Sequence, residues 1–328
     1  MEYDPVLSHE YLPITSLRAL EIQNPIGVRV LGQDVVAWKC GDEILVWQDL
    51  CAHRGTRLSL GRVRENTLQC PYHGWTYNAE GKCIHIPAHP EQTPPDKARV
   101  KTFRARVAYE MVWVCLDEPR ADGPAFPEWD DASYRKIFCG PYPVHASAPR
   151  IVENFLDVAH FPFVHEGILG DAAHPEIEDY EAEITNEGVI ARDVRVYQPD
   201  PYGTGQGDTV TYTYRSTRPL SAYFVKSSGF DKQSSDRGFS ILLFITPHEK
   251  NESTAYMWMA MNYGFEISES ELVAYQDKIF SQDAPILQSQ RPELLPLDLQ
   301  TELHLKSDRT AIAYRKWLRG LGLTFGVE

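Results

Sequence analysis

Two cysteines and two histidines have types and a spacing suited to binding a metal cluster. Cys51 begins a C-x-H motif with His53, and after sixteen intervening residues Cys70 begins a C-x-x-H motif with His73. Zinc is the usual metal for two thiolates and two imidazoles, but zinc-finger spacings place the cysteines together and the histidines together. Here each motif supplies one thiolate and one imidazole. A Rieske [2Fe–2S] centre requires that division, because two thiolates bind one iron and two imidazoles bind the other.

A second set of possible metal ligands lies in residues 153–165, ENFLDVAHFPFVH, where Asp157, His160 and His165 form a D-x2-H-x4-H pattern. The apolar spacing predicts a helix that Pro162 kinks or ends. Two histidines across such a helix end can face one metal ion. One carboxylate from a distant segment would complete the 2-His-1-carboxylate triad, which leaves positions open for O2 and substrate on Fe(II). H-x4-H alone is a weak signal, and the absence of H-E-x-x-H argues against a zinc protease.

The carboxylate of this second set has several candidates. Asp277 and Asp283 lie in YQDKIFSQDAPILQSQ, within a predicted helix that begins after Ser268, and Asp298 is a more distant possibility. Asp277 and Asp283 are six residues apart and therefore point to different faces of a helix. Only one of them can face the histidines.

The elements around these motifs divide the chain into two parts. From about residue 25 to 118, short strands alternate with Gly, Asn and Asp turns, which predicts an all-β unit around the cysteines. A segment rich in Pro and Asp breaks the pattern between about 118 and 132. We therefore expect domains at 1–125 and 126–328, the second mixing alternating strands from about 175 to 265 with helices near both histidines and the C-terminus. The expected fold class is α+β.

The composition excludes several classes of protein. With 32 Lys and Arg against 46 Asp and Glu, the formal charge is −14, which disfavours nucleic acid or an anionic membrane as partner. Six cysteines in 328 residues are too few for a secreted disulfide scaffold. The N-terminus lacks the pattern of a signal peptide, and no stretch reaches the ~18 apolar residues of a membrane helix. We expect a cytoplasmic protein, in which the remaining thiols are inert: Cys40, Cys83, Cys115 and Cys139.

The cysteine motifs with CPYHGW, together with D-x2-H-x4-H, resemble the Rieske non-haem iron oxygenases over nearly the whole chain. The resemblance implies an N-terminal Rieske domain and a C-terminal helix-grip (START-like) antiparallel sheet with helices. It also implies a mononuclear Fe(II) held by His160, His165 and Asp283, since the family's acidic ligand precedes an I-L-x-x-Q stretch like that at 286–290. The cluster ligands would be Cys51, His53, Cys70 and His73.

The same resemblance implies partners. In the family an aspartate bridges the cluster of one subunit and the mononuclear iron of the next, so His73 would bond Asp157 of a neighbour, which bonds His160. The assembly would be a homotrimer or a ring that contains such trimers. No G-x-G-x-x-G follows a strand and opens a helix, so electrons would come from a separate NAD(P)H-dependent reductase or a ferredoxin.

The expected activity is a monooxygenase that uses O2 to hydroxylate a C–H bond of a small molecule. IPAHPEQTPP, FPEWDD and GLTFG resemble the saxitoxin-type hydroxylases, which implies a guanidinium alkaloid, with an aromatic compound as the other class. The alternative is an O- or N-demethylase of the vanillate demethylase type that releases formaldehyde. A non-catalytic electron-transfer protein and a zinc module are more remote. For the pocket we expect an apolar wall of Phe161, Phe163 and Val164. One face of the strand STAYMWMAMNYG could also line the pocket, although we favour core packing as the interpretation of its methionines.

Overall fold

The computed structural model of the protein describes residues 3–201, 205–227 and 237–328. The chain forms two compact units, Met1–Gly123 and Pro124–Glu328. The first unit is built almost entirely from strands, whereas the second joins a large sheet to helices, so the expected α+β class is confirmed. Within the described ranges, no helix is both long and apolar enough to cross a membrane.

The first unit contains a six-stranded antiparallel sheet in the part of the chain that the structure describes. Its strands are β1 (Leu12–Ser16), β2 (Ile26–Val30), β3 (Gln33–Cys40), β4 (Glu43–Gln48), β9 (Thr102–Ala108) and β10 (Met111–Cys115). They lie in the order β1-β10-β9-β4-β3-β2, and a short helix, α1 (Leu17–Ile22), follows β1. The central strands are apolar on both faces, since Trp38 and Trp47 are fully buried and pack edge to face.

A second, four-stranded sheet of the first unit supports the cysteine and histidine motifs. Its strands, in order among the described residues, are β5 (Arg62–Arg64), β6 (Thr67–Gln69), β7 (Thr76–Tyr77) and β8 (Cys83–His85). The first motif follows β4, and the second forms the turn between β6 and β7. Buried residues from both motifs and both sheets share one core, which includes Trp38, Leu58 and Tyr77.

The second unit is organised by one antiparallel sheet of long strands. The strands are β11 (Arg135–Val144), β12 (Glu181–Thr185), β13 (Gly188–Gln198), β14 (Asp208–Arg218), β15 (Ser221–Ser227), β16 (Phe239–Glu249) and β17 (Glu252–Met261). Their order over the described residues is β11-β17-β16-β15-β14-β13-β12. The central strands are buried on both faces, so their sequences are nearly continuous runs of apolar residues.

Helices of the second unit position the candidate ligands. The helices are α2 (Ala148–Leu156), α3 (Phe161–Val164), α4 (Glu269–Ser289) and α5 (Arg309–Leu321). His160 and His165 flank the short helix α3, and Asp283 lies within α4. α4 begins after Ser268, as expected, and has a full capping box with Glu271.

The prediction that one helix runs to Pro162 is wrong, because α2 ends at Leu156. The carboxylate of Asp157 accepts hydrogen bonds from the backbone N–H groups of Ala159 and His160, at 2.9 and 3.3 Å. Such a side-chain turn competes with continued helix. Pro162 instead lies in the first turn of α3, where its missing N–H is tolerated.

A buried ion network fixes α5 to α2. Arg315 is 3% exposed and donates to both carboxylate oxygens of Glu153, at 2.5 and 2.8 Å, and to Glu302 at 2.5 Å. Arg150, equally buried, also donates to Glu302, at 2.8 Å. The positions of α2 and of the C-terminal helix are therefore coupled through two buried arginines and their carboxylate partners, of which Glu302 is partly exposed.

Candidate active site

The two motif loops of the first unit have nearly the same backbone geometry. The N–H of Cys51 donates to the carbonyl of Thr56, and the N–H of Cys70 donates to the carbonyl of Trp75, each at 2.8 Å. Four residues after each cysteine stands a glycine with positive φ, +70° at Gly55 and +71° at Gly74. Residues with a Cβ rarely adopt this conformation, so the glycines allow the tight turns.

Aromatic residues surround these loops. Cys51 and Cys70 are almost fully buried, and the hydroxyl of Tyr77 lies 3.1 Å from the sulfur of Cys51. Trp75 stacks on His53 with the ring planes parallel and the centroids 4.5 Å apart. His73, in contrast, is exposed. The thiols are therefore shielded from water, whereas one imidazole reaches the surface of this unit.

The four residues fit a Rieske cluster. Burial and the neighbouring Cys51 thiol raise the pKa of Cys70, and the imidazole rings of His53 and His73 lie 4.6 Å apart. Nδ1 of His53 is buried and, among the described residues, has no hydrogen-bond partner. A buried polar atom without a partner calls for an unseen ligand. Two adjacent thiolates beside two adjacent imidazoles supply the donor set of a [2Fe–2S] centre of this type.

The remaining cysteines are free thiols outside this cluster of ligands. Burial raises the pKa of Cys115 to about 11 and that of Cys139 to about 12. Cys83 is also buried, and Cys40 is half-buried. Thiols with raised pKa values stay protonated and unreactive near neutral pH, as expected from the sequence.

In the second unit, the structure brings His160, His165 and Asp283 together. Nε2 of His160 lies 3.2 Å from Nε2 of His165. One oxygen of Asp283 lies 3.5 Å from the former and 3.1 Å from the latter. These three form the one group of metal-binding side chains found in the described part of the chain.

These separations fit one metal ion. Ligand atoms held at bonds of about 2.1 Å and near right angles stand about 3 Å apart. Two imidazoles and a carboxylate form the facial donor set of non-haem iron oxygenases, which leaves positions for O2 and substrate. Asp277 lies elsewhere, exposed on α4 and hydrogen-bonded to Tyr142 at 2.7 Å, and Asp298 is exposed.

Hydrogen bonds orient both imidazoles. Nδ1 of His160 lies 2.8 Å from Asp157, and Nδ1 of His165 lies 2.9 Å from the amide oxygen of Gln282. Because Asp157 and Gln282 offer oxygen acceptors, each ring carries its proton on Nδ1 and turns the Nε2 lone pair inward. The sequence predicted Asp157 as the hydrogen-bond partner of His160. It did not indicate Gln282 as the partner of His165, although Gln282 directly precedes Asp283.

Two groups at the site have shifted pKa values. Burial by itself raises the pKa of Asp157, but hydrogen bonds from His160 and from two backbone amides outweigh it, so the pKa lies below its ordinary value. For His165, burial lowers the pKa, but Asp283 and Gln282 outweigh this effect and the pKa lies above its ordinary value. Asp157 is thus an ionised acceptor near neutral pH.

A cavity of about 440 Å³ opens beside the three ligands, within the second unit. The central sheet forms one wall, and α2 and α4 form the other. Phe155 and Phe224 both line it and stack on each other with centroids 5.3 Å apart. Apolar side chains dominate the lining, including Ile151, Phe161, Leu169, Ile241, Leu243, Met257, Met259, Met261, Ile279 and Phe280.

Two expectations about this pocket are wrong in part. The methionines of β17 line the cavity rather than serving only as core packing, because the cavity lies on that face of the strand. Phe163 is 66% exposed, and of the expected apolar wall of Phe161, Phe163 and Val164 only Phe161 lines the cavity.

Comparisons with known proteins agree with this arrangement. The sequence family of the Rieske [2Fe-2S] domain matches residues 10–104. The family of the vanillate O-demethylase oxygenase C-terminal domain matches residues 144–323. Methylxanthine N1-demethylase NdmA of Pseudomonas putida is 31% identical over 96% of this chain and 89% of its own length. The vanillate O-demethylase oxygenase subunit of Pseudomonas sp. (strain HR199 / DSM 7063) is 27% identical over 89% of this chain and 88% of its own length.

A solved structure shows the same fold. Pseudomonas putida CBB5 NdmA with caffeine superposes with a TM-score of 0.84 at 30% identity, covering 96% of this chain and 91% of that one. The match extends through both units of the chain. The protein therefore belongs to the Rieske non-haem iron oxygenases, whose cofactors are a Rieske [2Fe–2S] cluster and a mononuclear iron.

Proposed function

We propose that the protein is the oxygenase component of a demethylase that hydroxylates an N-methyl or O-methyl carbon of a small ring compound and thereby releases formaldehyde. The observation that carries the proposal is the mostly apolar cavity of about 440 Å³ that opens beside the two imidazoles and the carboxylate. Its size and lining suit a small molecule of one or two rings. The relatives above that are named as methylxanthine and vanillate demethylases support the same reaction class.

The chain's residues would hold and isolate the reacting groups. His160, His165 and Asp283 would bind the mononuclear iron, with Asp157 and Gln282 fixing the two rings. When bound, the iron supplies O2 activation, and the net change adds one oxygen atom to the methyl carbon while the other leaves as water, with two electrons and two protons consumed. The hydroxymethyl product then breaks its bond to nitrogen or oxygen and gives formaldehyde. The apolar walls keep bulk water from the site.

For the electron supply we propose a route through a neighbouring subunit. His73 is exposed on the first unit, and the side chain of Asp157 retains 29% exposure on the second. His73 of one subunit would bond Asp157 of the next, which holds His160, in a homotrimer. The cluster, held by Cys51, His53, Cys70 and His73, would receive electrons from a separate NAD(P)H-dependent reductase or a ferredoxin.

Hydroxylation of a guanidinium alkaloid is the second candidate. Two acidic side chains, Asp200 and Glu271, contribute to the cavity lining and suit a cationic substrate. The carboxylate of Glu271 is already engaged by the hydroxyl and backbone N–H of Ser268. Apolar side chains dominate the rest of the lining, which favours a neutral ring compound and hence the demethylase.

Product analysis separates the two candidates. The holoenzyme, a surrogate reductase and O2 would be incubated with N-methyl heterocycles, methoxyarenes and guanidinium alkaloids. Formaldehyde in a one-to-one ratio with a demethylated product supports the proposal. A new hydroxyl on the alkaloid without formaldehyde supports the second candidate and contradicts the first. The His160→Ala variant is the control for reactions that do not use the mononuclear iron.

A further inference from the structure

The methionines of the chain are concentrated on one wall of the cavity. The sequence has five methionines, and three of them, Met257, Met259 and Met261, lie on β17 and line the cavity beside the metal ligands. Alternation along the strand places these three side chains, the methionine row, on one face. They are 5%, 2% and 3% exposed, so bulk solvent hardly reaches them. Leucine fills a similar volume, so packing alone does not require sulfur at these positions.

The methionine row runs along the cavity wall towards the metal ligands. At one end, a Cβ on Gly264 would meet the terminal methyl group of Met261 at 3.1 Å, just before α4 begins. At the other end, the sulfur of Met257 accepts a hydrogen bond from Nε2 of Gln276 at 3.3 Å. Gln276 lies within α4, seven residues or about two turns before Asp283. The row therefore follows α4 from its start in the direction of the carboxylate ligand.

The exposed part of the cavity lining lies at the start of α4. Of the described lining residues, those that are exposed are Asp200, Ile267, Glu271 and Tyr275, and the last three lie at or just before the first turns of this helix. His165 and Asp283, at the opposite end, are buried. A small molecule that forms at the ligands and leaves through the exposed end must therefore pass the methionine row.

A thioether in this position can react with hydrogen peroxide. If O2 is reduced at the ligands and no substrate receives an oxygen atom, two electrons and two protons convert it to hydrogen peroxide. The sulfur gives two electrons to the peroxide, the O–O bond breaks, an S–O bond forms, and the products are a sulfoxide and water. The single thiol of the second unit, Cys139, competes poorly because burial raises its pKa to about 12.

We propose that the methionine row takes up the oxidant when O2 reduction is not coupled to a substrate, so that its sulfurs become sulfoxides before the imidazoles of His160 and His165 are oxidised. The inference goes beyond the proposed demethylation, since it requires O2 reduction at the ligands but no particular substrate. A sulfoxide adds a polar oxygen to an apolar wall. Each oxidised methionine therefore also weakens the binding of an apolar ring.

The test compares the oxidation of two peptides from the same protein by mass spectrometry. The holoprotein is incubated with a surrogate reductase, NADH and O2 labelled with heavy oxygen, without substrate and with catalase, and is then digested. We expect the peptide that holds the methionine row to gain labelled oxygen, per methionine, at least about tenfold faster than the peptide that holds Met111. Met111 on β10 is the internal control, because it is fully buried but lies in the first unit.

Several results would overturn the assignment. Catalase destroys peroxide in bulk solvent and is too large to enter the cavity, so loss of the oxidation on adding catalase would mean that the oxidant came from outside. Equal oxidation at Met111 would mean that the cavity is not the source. Undiminished oxidation in His160→Ala, which should lose the mononuclear iron, would also contradict the proposal, as would oxygen that carries no label.

A set of variants tests whether the methionine row protects the ligands. Met257→Leu, Met259→Leu and Met261→Leu, combined in one protein, keep the volume of the wall and remove the sulfur. In the same incubation this protein should lose its mononuclear iron faster than Met111→Leu, and the peptides of the two histidine ligands should gain labelled oxygen. Equal rates of iron loss with unmodified histidines would reject protection. If the combined variant does not fold, Met257→Leu alone must show the same shift of oxidation to the histidines.

Discussion

Replacing Gln282 by leucine should weaken the mononuclear iron site without touching a ligand. The amide oxygen of Gln282 accepts the Nδ1 proton of His165 at 2.9 Å, and His165 is 1% exposed, so water cannot take its place. A ring that presents Nε2 to the metal must carry its proton on Nδ1. The Gln282→Leu variant would leave that N–H buried and without an acceptor.

The size of the effect follows from this burial. An unpaired buried donor costs about 1–3 kcal/mol, which corresponds to a factor of about 5 to 150 in the dissociation constant. Loss of the hydrogen-bond partner of a ligating histidine typically lowers metal affinity by about 10- to 100-fold. We therefore expect Fe(II) to bind Gln282→Leu roughly 10- to 100-fold more weakly. Gln282→Glu, which keeps an acceptor, should bind Fe(II) at least as tightly as the wild type.

The assay removes the mononuclear iron with a mild chelator and follows the visible absorption of the cluster, which must stay unchanged. Fe(II) is then titrated back in competition with a colorimetric chelator. Gln288→Leu, exposed on the same helix, controls for general effects on α4. If Gln282→Leu binds Fe(II) within twofold of the wild type while the cluster stays intact, the argument that this hydrogen bond fixes the ring is refuted.

Three further predictions concern the ligands, the bridge and the ion network. His160→Ala should keep the visible absorption of the cluster and lose one iron per chain and all product; product at the wild-type rate would contradict the assignment. Asp157→Ala should keep both metal contents but slow the substrate-dependent reoxidation of the reduced cluster in stopped-flow experiments, whereas normal reoxidation would exclude the bridge. Burial raises the pKa of Glu302, but Arg150 and Arg315 outweigh it and hold the pKa below its ordinary value. The ionised Glu302 therefore stabilises the folded protein above about pH 4.3, and this stabilisation is lost as the pH falls below that value. Glu302→Gln should therefore lower the urea midpoint at pH 7 by an amount that shrinks towards pH 4, and an equal loss at both pH values would contradict this.

Where the candidate ligands form a local pattern, the sequence names the same residues that the structure brings close together. Cys51, His53, Cys70 and His73 are set by two short motifs, and His160 and His165 by a third. Asp283 lies more than a hundred residues from the histidines, so no local spacing connects it to them. Asp283 was chosen over Asp277 because the I-L-x-x-Q stretch that follows it resembles the one in the family. The two residues are six positions apart on one helix, so they point to different faces and only one can face the cavity.

The residues that shape the cavity were harder to predict, because both faces of the central strands are apolar. On β17, Trp258 and the methionines are all buried, so alternation alone does not tell which face meets the helices. Gln282 looks like an ordinary polar residue of an exposed helix. Its contact with His165 depends on how α4 is rotated against the sheet, which is decided by packing over the whole unit rather than by local sequence.

The paired glycine turns around Cys51 and Cys70 make these loops sensitive to changes that touch no ligand. Each loop is closed by backbone hydrogen bonds and a positive-φ glycine, and a Cβ at Gly74 would meet Pro87 at 2.9 Å. Residues with a Cβ rarely adopt such a φ. A substitution at Gly55 or Gly74 would therefore disturb the position of the neighbouring thiol although it leaves all four candidate ligands in place.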